Sequence, residues 1–266
     1  MERENKNNNK NRINKKAQVA IFIIIAVLVV GIIIFFFFFR SKIDFGLGQS
    51  GKPEKDPESY INLCIKPKVE EAVKLISSQG GYVNNSLNKN IDGEKISYLC
   101  YQQNYYISCV NQEPMLISHL EEEIKNYIKD DVDGCLAELK NELVKQNYEV
   151  SISNGDFNVQ LVPKKVLVNI NRKIEITKSG ETSRYEKFQS VIPSRIYELA
   201  LVVQEITSQE ARFCNFEQGG YMLFYSNFDI DKFRTGDGTT LYTIKHRKTN
   251  EEFKFAVRSC VIPPGI

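Results

Sequence analysis

Hydrophobic side chains recur along this chain in three rhythms. From Ala17 to Phe39 there are 23 residues without a charge, ending in "GIIIFFFFFR"; Gln18 is the only strongly polar side chain among them and Arg40 closes the run. At about 1.5 Å rise per residue, a helix of this length reaches roughly 35 Å, enough to cross a hydrocarbon core with some tilt. A helical rhythm follows: Ile61, Ile65, Val69, Val73 and Ile76 recur near a 3.6-residue period and predict a helix over 58–78. "QGGY" at 79–82 ends it, since glycine in the left-handed conformation is the commonest helix C-cap. Strands then flank a turn at "IDGEK", with Asp92 and Gly93 at its centre. A longer amphipathic run from Pro114 to Gln146 places Ile117, Leu120, Ile124, Ile128, Val132, Cys135, Leu139 and Leu143 on one face.

From residue 147 the period drops to two. The alternation up to Pro193, with turns at "NGD" and "KSGE", predicts a meander of three or four strands. Helix returns from Ile192 to Phe213, with Ile196, Leu199, Ala200, Val203 and Ile206 inward. The last part reads as a strand at 221–226, a loop around "TGDG", and a hairpin across "RKTNEE". Pairing Lys248 with Glu251 puts Tyr242, Ile244 and His246 on one face with Phe253, Phe255 and Val257. Helices and antiparallel hairpins without a strict strand–helix–strand rhythm predict an α+β class, a transmembrane helix followed by a domain of helices packed on antiparallel strands. "SSQGGYVNNS" (77–86) and "FEQGGYMLFYSN" (216–227) each read as a helix end leading into a strand, through a duplicated unit or through convergent use of one glycine cap.

Charge divides the chain further. Residues 1–16 carry six Lys or Arg against two Glu, so the positive-inside rule keeps this arm in the cytoplasm and puts everything after Arg40 outside. "FFFFRSK" offers no small-residue cleavage site of the secretory kind. The arm has no aromatic for base stacking, and the rest of the chain holds 29 basic against 31 acidic residues, so no nucleic-acid partner is expected. Three Gly and two Pro within residues 46–57 make 40–57 a flexible linker. Residues 58–266 then form the outside domain, in one piece or in two subdomains meeting near residue 150.

The six cysteines, Cys64, Cys100, Cys109, Cys135, Cys214 and Cys260, include no Cys-x-x-Cys pair, and the chain has only two histidines. Disulfides rather than a metal site are therefore expected, in any of 15 connectivities. Cys100 and Cys109 flank eight residues that read as a hairpin and are placed to close it; Cys64 and Cys135 lie on predicted helices; Cys214 and Cys260 remain.

Candidate chemistry is sparse. His119 and His246 sit in no catalytic signature, and Gly-x-Ser-x-Gly, His-Glu-x-x-His and phosphate-binding glycine loops are absent. His246 reads as packed on an apolar hairpin face and His119 as solvent-facing. "KDDVDG" (129–134) and "NFDIDKF", with Asp229 and Asp231, do not complete an EF-hand loop. The carboxylates Glu121, Glu122 and Glu123, and Glu251 and Glu252, read as solvated faces. No enzyme, cofactor or metal is expected. Asn84, in "NNS" on a loop beyond a helix cap, is a glycosylation candidate. "YQQNYY" (101–106) reads either as an adhesive or glycan-contacting patch or as half-buried strand residues.

"KKAQVAIF" resembles the class III signal peptides of archaeal type IV pilin-like proteins. The resemblance implies that Lys16 and Ala17 form the recognition pair, Gln18 the mature N-terminus and Val19 the next position. The chain departs from the pilin pattern at Phe22, where many pilins carry Glu, and in the glycine-rich break soon after Arg40. The whole chain also resembles single-span archaeal surface proteins that share a KK(G/A)Q-type start, a Cys soon after the linker and a later Gly-Gly-Tyr. The expectation is a surface protein in the cell membrane, N-terminus cytoplasmic and C-terminal domain outside. Its partners would be the lipid bilayer and other surface or pilin-like subunits or cell-envelope glycans. The alternative is a pilin-like subunit cleaved before Gln18 and assembled through its apolar helix.

Overall fold

Asp56 begins the described structure by capping a helix: its carboxylate accepts hydrogen bonds from the backbone N–H groups of Glu58 and Ser59 at 3.1 and 3.2 Å, and Pro57 occupies the first helical turn. A computed structural model describes residues 56–263. The predicted span over 17–39 and the processing residues Lys16, Ala17 and Gln18 lie outside them. Among the described residues no helix is long and apolar enough to cross a membrane.

Helix α1, Pro57–Ser78, continues through the internal Pro67 and buries Ile61, Ile65, Val69, Ala72 and Ile76. A hairpin follows, β1 (Asn88–Ile91) and β2 (Glu94–Tyr101), turning at Asp92 and Gly93, both with positive φ. The two-residue strand β3 (Val110–Asn111) returns to pair with the end of β2. Helix α2, Leu116–Lys145, buries the predicted face except Ile117, which is only half-buried. Leu120 beside Gly81 and Cys135 bonded to Cys64 show that α1 and α2 run antiparallel along their length.

Residues 149–193 hold six strands, not the predicted three or four. They are β4 (Glu149–Ile152), β5 (Phe157–Val162), β6 (Lys165–Ile170), β7 (Ile174–Lys178), β8 (Glu181–Tyr185) and β9 (Phe188–Pro193). Nor do they make one meander: β4-β7-β8 and β5-β6-β9 are separate three-stranded antiparallel sheets. Alternation identifies which face of a strand is apolar, not which strand lies beside it, so this interleaving left no local trace.

Helix α3 spans Ile196–Phe213, and Ile192 belongs to β9 instead of the helix. The predicted strand at 221–226 is a short helix, α4 (Gln218–Phe224), started by the Glu217 side chain accepting from the Gly219 N–H at 3.0 Å. Strands β10 (Phe228–Arg234), β11 (Thr240–His246) and β12 (Glu252–Arg258) complete the largest sheet, ordered β1-β2-β12-β11-β10, with β12 and β2 parallel and the other pairs antiparallel. The β11–β12 register pairs Lys245 with Glu252 and Tyr242 with Phe255, two residues from the predicted one. An even slip leaves every side chain on its face, so the apolar face is as predicted.

One core joins α1, α2, α3 and a face of each sheet. Within it, Tyr242 donates to the buried Glu210, which also faces Lys232 at 3.6 Å. Burial, followed by the Glu210 charge, pushes the Tyr242 phenol far above its ordinary range, so it stays a neutral donor. β10 is an edge strand, and α4 closes part of it: the Phe228 N–H donates to Tyr225 O at 3.1 Å and the Ile230 N–H to Met222 Sδ at 3.2 Å.

Candidate functional site

Between β2 and β3 the chain leaves the sheet and makes a loop, Gln102–Cys109, that is held at many points. The Cys100–Cys109 disulfide, with Cα atoms 5.3 Å apart, closes its base. The Gln102 N–H donates to Arg258 O at 3.0 Å, and the Gln102 side chain accepts from the Asn104 N–H at 3.1 Å. The Arg258 guanidinium donates to Gln102 O and, at 2.7 Å, to Gln103 O, and lies 5.5 Å from the centre of the Tyr105 ring. Farther along, the Tyr106 N–H bonds Val261 O at 3.0 Å and Ile107 O accepts from the Cys260 N–H at 2.9 Å. Cys260 is in turn bonded to Cys214 at the end of α3, with Cα atoms 5.6 Å apart. Two disulfides and one arginine thus hold eight residues in a single path.

That path turns the side chains outward. Tyr105 and Tyr106 are 44% and 60% exposed, Ile107 is exposed beside them, and no charged residue occurs from Ile96 to Gln112. The alternative reading, of half-buried strand tyrosines, is overturned for this pair and holds only for Tyr101, whose ring packs edge-on against Tyr98 at 4.9 Å. Exposed tyrosines and side-chain amides on a backbone already ordered make a surface that loses little entropy on binding.

A second feature is a cleft of about 530 Å³ where α1, β9 and the β11–β12 turn meet, lined by Lys74, Ser77, Ser194, Thr249, Glu251 and Glu252 among others. Its carboxylates already have work. Glu251 accepts from the Ser194 hydroxyl and the Arg195 N–H, both at 2.7 Å, and so caps α3; it is not a solvated face. Glu252 pairs with Lys254 at 3.5 Å. His246 is buried as expected on the apolar hairpin face, near the Phe228 ring and 3.1 Å through Nδ1 from the Thr249 hydroxyl. Burial, then the nearby Arg195, holds its pKa below the usual histidine value.

The other singled-out residues serve structure. His119 is not solvent-facing: its Nε2 is 3.0 Å from Gly81 O, and its ring lies against Tyr82. Glu121 accepts from the Leu161 N–H and Glu123 from the Val83 N–H, each at 2.8 Å, so both tie α2 to neighbouring backbone where solvated faces were expected. Asp131 pairs with Lys68 at 3.5 Å, Asp133 with Arg172 at 2.6 Å, and Asp229 with Arg247 at 3.2 Å. Among the described residues no group of three or more His, Cys, Asp or Glu is poised to hold a metal ion. Asn84 and Ser86 of the glycosylation motif are exposed.

The third disulfide joins Cys64 to Cys135 across α1 and α2 with Cα atoms 6.0 Å apart, and no cysteine is free. A set of three such bonds points to an extracellular or oxidising environment. Residues that the sequence did not single out include Arg258, which clamps the tyrosine loop from 155 positions away, and the exposed end of α4. The run "YMLFY" (221–225) was legible only as part of the strand expected at 221–226.

No family model, curated protein or solved structure matches this chain.

Proposed function

We propose that the chain is a membrane-anchored cell-surface protein whose α+β ectodomain binds or assembles with other envelope components and performs no catalysis. The basic arm 1–16 lies in the cytoplasm, 17–39 crosses the bilayer, 40–55 is the tether, and the disulfide-linked domain, which begins at the Asp56 cap, stands outside. The immobilised loop displaying Tyr105, Tyr106 and Ile107 carries this reading. A backbone clamped by two disulfides and Arg258, yet presenting aromatic side chains to solvent, is suited to contact with a glycan or a neighbouring subunit. The test is retention of the full chain, in nanodiscs, on delipidated native envelopes. Replacing Tyr105 and Tyr106 together by Ala is expected to lower retention about tenfold. Unchanged retention, or none by the parent protein, would count against the reading.

The pilin-like alternative rests on the Lys16–Ala17–Gln18 motif. Terminal peptide mapping of the native protein separates the two. A start at Gln18 favours assembly through the apolar helix, and a start at Met1 or Glu2 removes it.

A further inference from the structure

Helix α4 buries none of its residues, and its C-terminal end places three large apolar side chains in succession at the surface. Leu223 is 80% exposed, Phe224 83% and Tyr225 54%. Exposed apolar residues are ordinary when scattered; two consecutive ones almost free of neighbours are not. The helix itself is firmly seated. Tyr221 packs against Phe216 with ring centres 5.4 Å apart, and Met222 and Tyr225 accept backbone N–H groups of the β10 segment. The tip is thus a fixed apolar projection.

We infer that this tip, Leu223, Phe224 and Tyr225, inserts into the outer surface of the bilayer that anchors the chain. The inference rests on the anchored reading above. No charged residue occurs from Gln218 to Phe228, and the acids at either end are engaged, Glu217 with the Gly219 N–H and Asp229 with Arg247. Arg212, in the last turn of α3, is exposed on the adjoining element, where a cation suits lipid headgroups. The linker ahead of the Asp56 cap, residues 40–55, spans up to about 55 Å when extended, while a domain of this size has a radius of gyration of about 17 Å. Any face of the domain can therefore reach the membrane, and the tether keeps the bilayer at high effective concentration. A second copy is a poorer occupant. Three side chains of at most about 150–250 Å² each fall short of the roughly 800 Å² per partner that a stable protein interface buries. For a domain already tethered, a small wedge is enough.

The chain contains no tryptophan, so Phe224→Trp supplies a single reporter. The full-length variant is reconstituted into liposomes with and without acyl-brominated lipid, and carbonate resistance is measured on the same sample. Phe224→Trp is expected to emit at shorter wavelength and to be quenched by the brominated lipid. Tyr105→Trp, on the other exposed surface, is expected to stay at long wavelength and unquenched. Adding Leu223→Asp to Phe224→Trp is expected to reduce the quenched fraction about tenfold; since both side chains point to solvent, near-UV circular dichroism should be unchanged. A carbonate-resistant Phe224→Trp protein whose tryptophan stays unquenched overturns the inference and leaves the anchor intact. Shielding of the tryptophan from acrylamide without lipid quenching assigns the tip to a protein partner, and also overturns it. Loss of the protein from carbonate-washed membranes overturns both readings.

Discussion

The residues Gln-Gly-Gly-Tyr occur twice in this molecule, closing a helix at 79–82 and opening one at 218–221. At the first site Gly80 and Gly81 have φ of 76° and 92°, and a Cβ on Gly80 would stand 2.9 Å from Ser97 O and 3.0 Å from Ser97 N. Tyr82 then turns inward, donating to Glu113 with its ring 4.3 Å from that of His119. At the second site a Cβ on Gly220 would meet only Glu217 Cγ, at 3.7 Å, and Tyr221 stacks on Tyr225 one turn ahead. The difference arises in what precedes each copy. Helix α1 runs directly into the first, which must supply the left-handed turn. Before the second, α3 has already ended at Cys214, itself in the left-handed region with φ of 55° and tied to Cys260, and Glu217 is in place as a cap. Glycine permits a reversal without requiring it, and the neighbouring caps decide.

Filling each glycine with a methyl group separates the two sites. Gly80→Ala is expected to destabilise the folded domain by about 3 kcal/mol or more, because the positive φ and a backbone clash add. Gly220→Ala, in an open helical position, is expected to stabilise it by about 0.5–1 kcal/mol. Denaturant midpoints followed by tyrosine circular dichroism read both values. Equal effects would erase the distinction.

A smaller contrast lies in the tyrosines. Tyr82→Phe removes a half-buried bond to Glu113 and is expected to cost about 1 kcal/mol. Tyr221→Phe, where no hydroxyl bond is formed among the described residues, is expected to be neutral within about 0.5 kcal/mol. A further contrast is in pH dependence. Burial, then the neighbouring Tyr225, pushes the Tyr221 phenol up to about 12. Its neutral form is favoured only in the folded state, so its contribution is complete below the ordinary tyrosine value near 10 and is lost as pH rises from there toward 12. Tyr221→Phe should therefore flatten the alkaline decline in stability and remove one late-titrating component at 295 nm. An unchanged titration would contradict the assignment.

How far local patterning reaches can be seen in α2 and α4. In α2 the three- and four-residue spacing from Leu120 to Leu143 has one meaning, and every predicted residue of that stretch is buried. In α4 the run "YMLFY" has no period to separate helix from strand; it read as a strand at 221–226, and the structure makes it a helix whose Leu223 and Phe224 are exposed. Partner choice was equally silent. Glu123 serves the Val83 N–H, 40 positions away, and His119 the Gly81 carbonyl, 38 away, so both looked solvated. For the candidate site, "YQQNYY" was legible as an aromatic, uncharged stretch. Its exposure depends on Arg258 and on the Cys214–Cys260 bond, which come from the far end of the chain.

We propose an oxidised domain held outside the membrane by an anchor at residues 17–39. The most direct measurement is the intact mass of the native protein from carbonate-washed membranes, treated with an alkylating agent without reductant. The expected result is protein in the membrane pellet with no alkyl group added and a mass lowered by the hydrogens of three disulfides. Alkylated cysteines, or recovery of the protein in the soluble fraction, would contradict it.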